Sequence, residues 1–299
     1  MSRIIVIGST NTDMVIKSKK LPSPGETILG GTFLINQGGK GANQAVAAAR
    51  LGGNVTFVTK IGDDMFGSKS LITFRNEGIE TKYILKDKEH PSGVAMINVD
   101  EKGENCIVVS QGANGYLSPG DIKDEIFGID SSDILLMQLE IPMETVDYAA
   151  QRSSEKGTRV ILNPAPAAKI SSALLKRLFC ITPNETEAEL LTGIKVFSID
   201  SARKAALELY NKGVPNVIIT MGSLGAYLMN SEFSDLIPVV PVKAVDTTAA
   251  GDVFNGALVV ALSNNQNIVD AIAFANKAAS ISVTRIGAQS SAPYKNEVL

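Results

Sequence analysis

Short apolar runs rich in β-branched residues recur along the chain at 4–7, 55–60, 134–137, 159–162, 179–181 and 217–220. Continuous runs of this length, bounded by turn residues, suit strands buried on both faces. Between them the apolar positions adopt a helical spacing over approximately 41–51, 65–77, 143–154, 185–191, 201–212, 251–263 and 268–284. The alternation predicts an α/β fold: a doubly wound, mostly parallel sheet flanked by helices, with ligands gathering at the carboxyl ends of the strands. A second rhythm interrupts the first, because 13–17, 32–36, 93–99 and 105–110 are short, alternating or half-apolar segments separated by Gly, Pro and Asp. The last two are joined by Asp100-Glu101-Lys102-Gly103-Glu104, a hairpin connection. These segments predict a small sheet standing off the main body. Unable to bury both faces alone, it should act as a lid over a pocket, pair with another copy, or do both. No low-complexity linker or internal repeat divides residues 1–299, so one α/β domain carrying this lid is expected.

Composition narrows the function. The 299 residues suffice for a substantial core. Twenty-eight basic against 31 acidic residues leave a net charge of −3, with no basic block and no aromatic-basic interleaving, which argues against a nucleic-acid partner. No apolar run approaches membrane-spanning length, and the opening stretch reads as strand and turn rather than a signal sequence, so a cytoplasmic small-molecule enzyme is expected. Cys106 and Cys180 lie far apart inside apolar runs and read as ordinary buried thiols of a reducing compartment. The one histidine, His90, sits in a polar loop before Pro91. Histidine-centred catalysis and multi-histidine metal sites are thereby disfavoured, and carboxylates must carry any acid-base chemistry.

The richest candidate chemistry lies at Val245-Asp246-Thr247-Thr248-Ala249-Ala250-Gly251-Asp252, where small residues and a carboxylate meet the start of an apolar helix. Amides of Ala250, Gly251 and Asp252 would lack helical acceptors at the positive end of that helix, so they can hold an anion such as phosphate. Asp252 suits a base that takes a proton from an attacking hydroxyl; the plain alternative is an Asp placed by the helix dipole alone. Asn11 and Asp13 face the same way on an extended segment and offer donors and acceptors to sugar hydroxyls, or form an Asx-rich turn. Gln37-Gly38-Gly39-Lys40-Gly41-Ala42-Asn43-Gln44 resembles a P-loop but has Leu34 and Gly41 where glycine and Ser/Thr are needed. The dinucleotide fingerprint fails too, with Thr10 and Asp13 in place of glycines after Gly8. What remains is a glycine loop admitting a ligand close to backbone, with Lys40 and Asn43 one helical turn apart.

Three strand ends add candidates. Gln138 and Glu140 follow an apolar run at the ligand edge, although Glu140 could equally be a solvated loop residue. Asn184 and Glu187 are spaced to order a hydrated Mg²⁺ beside phosphates, and equally to form a capping box. Thr220-Met221-Gly222-Ser223-Leu224-Gly225 is a hairpin turn or a loop along which a nucleoside triphosphate lies.

Together, Gly38-Gly39-Lys40-Gly41-Ala42-Asn43 and Asp246-Thr247-Thr248-Ala249-Ala250-Gly251-Asp252 resemble the two signatures of the ribokinase family of phosphofructokinase B-type carbohydrate kinases, over almost the whole chain. The resemblance implies transfer of the γ-phosphoryl group of ATP to O5 of D-ribose. Asp252 becomes the general base, with Ala249, Ala250, Gly251 and Asp252 forming the anion hole. The sugar falls to Asn11, Asp13, Gly39, Lys40, Asn43, Glu140 and Asp252. ATP falls to Asn184, to Thr220, Met221, Gly222, Ser223, Leu224 and Gly225, and to Gly251 and Asn276. Asn184 and Glu187 match a motif tied to Mg²⁺ and phosphate use, while Asp246, Thr248, Ser282, Arg285, Gly287 and Ser291 match the oxygen donors for K⁺. A homodimer through the lid sheets is also implied. Ala249 stands where the broader family often has glycine. Rival readings are a kinase for deoxyribose, fructose or a nucleoside such as adenosine, and a non-catalytic sugar or nucleotide sensor on the same fold.

Overall fold

A computed structural model describes residues 2–127 and 133–298 of the chain. Its strands in chain order are β1 (Arg3–Ile7), β2 (Asn11–Lys17), β3 (Thr32–Gly38), β4 (Asn54–Gly62), β5 (Ile84–Asp87), β6 (Gly93–Val99) and β7 (Asn105–Ser110), then β8 (Ile134–Met137), β9 (Arg159–Leu162), β10 (Cys180–Ile181), β11 (Asn216–Thr220), β12 (Gly225–Met229) and β13 (Ser234–Pro238). The helices are α1 (Lys40–Arg50), α2 (Met65–Asn76), α3 (Met143–Glu155), α4 (Ser172–Leu175), α5 (Glu185–Thr192), α6 (Ile199–Asn211), α7 (Ala250–Ser263), α8 (Ile268–Ser282) and α9 (Lys295–Val298). Among the described residues no helix is long and apolar enough to cross a membrane.

The main sheet has 9 strands in the order β13-β12-β11-β10-β9-β8-β1-β4-β5. Pairing is parallel from β5 across to β11, and β12 and β13 close the far edge antiparallel. The doubly wound, mostly parallel sheet expected from the apolar runs is thus present. Side chains of the central strands alternate between two cores. Ile4 and Val6 face a cluster supplied by α1, α7 and α8, whereas Ile5 and Ile7 face one supplied by α3 and α6.

Small residues set the spacing that matters for the site. A Cβ at Gly256 of α7 would lie 2.7 Å from the Ala47 Cβ and 2.8 Å from the Gln44 carbonyl oxygen, so glycine lets α7 and α1 touch. A Cβ at Gly41 would lie 2.6 Å from the Gly8 backbone, which fixes the start of α1 against the end of β1. Asn43 and Gln44 are thereby carried to Asp252, one turn before Gly256.

The second sheet has 4 strands in the order β3-β2-β6-β7. Met14 is in register with Ile35 and Met96, and Met96 with Val108, so these side chains form a row on the face opposite Asp13. Ile35, Met96 and Val108 are 42%, 47% and 67% exposed. Cys106 departs from the expectation of a buried thiol, because it lies on the outer strand β7, which is exposed along its length. Cys180 is buried.

Candidate active site

Asp252 occupies the first turn of α7, behind Ala249, whose backbone is left-handed at φ 59°. That turn alters the expected anion hole. The Ala250 amide is not free; it donates to the Thr247 carbonyl at 3.2 Å, because the left-handed residue closes a tight turn. The first helical bond runs from the Val253 amide to the Ala249 carbonyl, which leaves the amides of Gly251 and Asp252 without helical acceptors. Both carboxylate oxygens of Asp252 are gripped: Asn43 Nδ2 donates to Oδ2 at 2.9 Å and Gln44 Nε2 to Oδ1 at 2.9 Å. Burial raises its pKa above the ordinary value, against the opposing pull of Lys40 and the two amide donors.

Asp252 borders a polar cavity of about 180 Å³, which also meets Lys40, Asn184, Glu187, Ala249 and Gly251. Asn184, Thr220, Thr247, Ala250 and Gly251 line this cavity and a larger one of about 540 Å³, so the two adjoin. The larger space is lined by Gly222, Ser223, Gly225 and Asn276 and by the apolar side chains of Val240, Pro241, Val242 and Phe254. A polar end joined to a roomy, partly apolar end suits a ligand with phosphates and a flat ring. Asn276 Nδ2 donates to the Ile237 carbonyl at 2.9 Å. Met221 is a core side chain, 3% exposed, and its amide donates to the Gly225 carbonyl at 2.8 Å. Leu224 is turned toward solvent and lines neither cavity.

On the other side of Asp252 the glycine loop, the β1–β2 turn and the loop after β8 converge. Glu140 accepts from the Ser9 hydroxyl at 2.5 Å and from the Lys40 amide at 3.0 Å, so it is anchored rather than solvated. The Asn11 side-chain oxygen accepts from Asn114 Nδ2 at 2.8 Å. Gly38 lies beneath the Asp13 carboxylate, which a Cβ would meet at 2.2 Å. Gly39 combines φ +88° with an approach that would put a Cβ 2.6 Å from the Asn11 amide nitrogen. Burial, reinforced by the charges of Glu140 and Asp252 and opposed by Lys40, pushes the Asp13 carboxyl up to about 6. Burial alone would lower the pKa of Lys40, but Asp252, Glu140, Glu187 and Asp13 together raise it. One ammonium is thus surrounded by carboxylates.

Asn184 and Glu187 form a complete capping box at α5: the Glu187 carboxylate accepts from the Asn184 amide at 2.9 Å and from its Nδ2 at 3.1 Å, while Asn184 Oδ1 accepts from the Glu187 amide at 2.8 Å. Glu187 nevertheless lines the polar cavity, and burial raises its pKa despite the Asn184 bond and Lys40. Asp246 ties two loops, accepting from the amides of Thr248 and Gly287, each at 2.9 Å. Burial would raise its pKa, but hydrogen bonds from Thr248 and Gly287 hold it below the ordinary value. Ser282 and Arg285 meet through an amide-to-carbonyl bond of 3.0 Å, the Arg285 side chain turns to Glu297, and Ser291 bonds to Ala288 within its own turn. Among the described residues no group of three or more His, Cys, Asp or Glu is placed to hold a metal.

The model describing pfkB family carbohydrate kinases matches residues 1–295. The chain belongs to the pfkB family of carbohydrate kinases. This carbohydrate kinase is 46% identical over 296 residues to the ribokinase of Haemophilus influenzae, a match covering 99% of this chain and 97% of that protein. It is 40% identical over 291 residues to a deoxyribokinase of Salmonella typhimurium, covering 97% of this chain and 95% of that protein. A solved structure of Arabidopsis thaliana ribokinase complexed with ribose and ATP matches it with a TM-score of 0.92 at 31% identity, covering 100% of this chain and 98% of that one.

Residues that carry no motif of their own also converge around Asp252 and the glycine loop. Gln44 was visible only as the end of the glycine loop, and Asn114 and Ser9 carry no motif. Asn163 could have been found, because it directly follows β9 at the carboxyl edge of the sheet.

Proposed function

We propose that this kinase transfers the γ-phosphoryl group of ATP to O5 of D-ribose, giving D-ribose 5-phosphate and ADP. The observation that carries the reading is Asp252, a buried carboxylate gripped by two side-chain amides beside the open backbone amides of a helix start. As O5 bonds to the γ-phosphorus, the bond from that phosphorus to the β-bridging oxygen breaks and the hydroxyl proton passes to Asp252. The amides of Gly251 and Asp252 stabilise the charge on the transferring group. Asn11, Asp13, Gly39, Lys40, Asn43 and Glu140 position the sugar. The Asn43 side-chain oxygen is buried without a partner among the described residues, an acceptor free for a sugar hydroxyl.

The phosphates lie in the polar cavity, and the adenine lies against Val240, Pro241, Val242 and Phe254. Glu187 and Asn184, which line the polar cavity, would hold a hydrated Mg²⁺, and that ion would supply charge neutralisation to the phosphates. By the family resemblance, Asp246 with oxygens of Thr248, Ser282, Arg285 (its carbonyl), Gly287 and Ser291 would hold K⁺, and such an ion would stiffen the approach to Ala249. The small sheet, carrying Asn11 and Asp13, acts as the lid, and its uncovered apolar row pairs with a second copy to make a homodimer. Two free thiols and a charge near neutrality accord with a cytoplasmic enzyme.

A paired set such as Asn11 and Asp13 favours a sugar with vicinal hydroxyls, since a 2-deoxy sugar leaves a buried polar group unpaired. The test is ADP formation with ribose, 2-deoxyribose, fructose and adenosine, each with K⁺ and with Na⁺, alongside the Asp252→Asn variant. Ribose should be the fastest acceptor, with K⁺ raising the rate, and Asp252→Asn should lower turnover by roughly 100-fold or more with ribose affinity retained. Weakened ribose binding at unchanged turnover would refute the base, and ribose binding without ADP formation in the unaltered protein would identify a sensor.

A further inference from the structure

Behind Asp252 lies a chain of buried amides. Gln44 is fully buried and lines neither cavity. Its Nε2 donates to Asp252 Oδ1 at 2.9 Å and to Asn163 Oδ1 at 3.0 Å, and its Oε1 accepts from Gln138 Nε2 at 2.6 Å. Turning the Gln44 amide over would place its oxygen against the Asp252 carboxylate and its NH₂ against that of Gln138, so these partners select one orientation. Asn163 is fixed in turn by its Nδ2, which donates to the Thr182 carbonyl at 3.1 Å. The network therefore runs from the ends of β8 and β9, through α1, to the first turn of α7.

We propose that Gln44 is a positioning residue for phosphoryl transfer: it holds Asp252 Oδ1 so that Oδ2, shared with Asn43, faces the acceptor hydroxyl, while Gln138 and Asn163 fix the Gln44 amide. The proposal rests on the reading of Asp252 as the base. Gln44 is wholly buried behind Asp252, so its contribution falls on turnover rather than on ribose affinity. A carboxylate that loses a hydrogen-bond donor also binds its proton more tightly. The other charged groups facing Asp252 are Lys40 from α1, Glu140 beyond β8, Glu187 from α5 and Asp13 from β2. All of them remain in the variants below, so a difference between variants reports the amides.

The experiment compares unaltered protein with Gln44→Met, Gln138→Met and Asp252→Asn, measuring kcat from acid to alkaline pH and ribose affinity by calorimetry, a suitable method because the chain contains no tryptophan. Gln44→Met keeps length and volume while removing the donor. Its kcat should fall roughly 10- to 100-fold, as for loss of a hydrogen bond to a charged group. The acid limb of its pH profile should move to higher pH, with ribose affinity nearly unchanged. Gln138→Met should shift the limb the same way by less, since Asn163 still grips Gln44. A folded Gln44→Met with unaltered kcat and acid limb overturns the proposal. Should that variant fail to fold, an unshifted limb in Gln138→Met overturns it instead. An active Asp252→Asn removes the base reading itself, whereas an inactive Asp252→Asn beside unshifted glutamine variants leaves the base standing and removes only the role of Gln44.

Discussion

Asp13→Asn should stabilise the empty protein and impair it as an enzyme. The Asp13 carboxyl is pushed up to about 6 by burial and by the negative charges of Glu140 and Asp252. An acid whose pKa is raised by folding binds its proton more tightly in the folded state, so its favourable contribution is present at low pH and lost as pH rises through the folded pKa. From the ordinary aspartate value to about 6, that loss amounts to about 3 kcal/mol once the group is ionised. Asparagine mimics the protonated form. The variant should therefore gain up to about 3 kcal/mol at slightly alkaline pH, corresponding to roughly 5 °C in melting temperature, with the gain vanishing near pH 4. Thermal unfolding of the ligand-free proteins at both pH values reads this directly. In the same preparation kcat/KM for ribose should fall by at least about tenfold, because a carboxylate acceptor has become partly a donor. A gain that is absent, or equal at both pH values, would show that Asp13 is not held against its charge.

Ala249→Gly should stay active with stability changed by no more than about 1 kcal/mol, since relief of the left-handed backbone offsets the added freedom of glycine. Ala249→Val should lose activity, and an active valine variant would show that the φ of 59° is dispensable. Gly39→Ala combines the wrong φ with a clash against the Asn11 amide and should lower stability by about 2–4 kcal/mol by denaturant melt; stability equal to the parent would show that the loop yields. The pair Ile107→Asp and Val108→Asp places a charge on each face of β7 and should leave a monomer by analytical ultracentrifugation, whereas a persisting dimer would move the interface away from the small sheet.

Central strands announce themselves because burial on both faces demands unbroken apolar residues, as in Ile4–Ile7 and Ile134–Met137. The edge does not. β13 is mostly exposed and ends on Pro238, which an edge strand tolerates, and β5 mixes Ile84 and Leu85 with Lys86 and Asp87. Cys106 is exposed despite its apolar neighbours, because an apolar neighbourhood signals burial only when something covers it. The helix start holding Asp252 was legible from its small residues, but the left-handed Ala249 that engages the Ala250 amide was not, because alanine carries no sign of that conformation. Gln44 was hidden for a different reason. Its partners Gln138, Asn163 and Asp252 come from three other elements, and only the packed fold brings amides so distant in sequence into contact.

The close fit of α1 on α7, with Gly256 against Ala47, bears on the order in which the molecule becomes competent. The bonds from Asn43 and Gln44 to Asp252 join residues 209 and 208 positions apart. Contacts of such long range are completed late, after the intervening chain has closed its loops. During synthesis the glycine loop and small sheet emerge long before α7, so a nascent chain holds its sugar-facing half without the base or the phosphate-receiving turn. Acquisition of turnover is therefore a natural clock for the last step of folding, the docking of the carboxyl-terminal helices onto a sheet already formed.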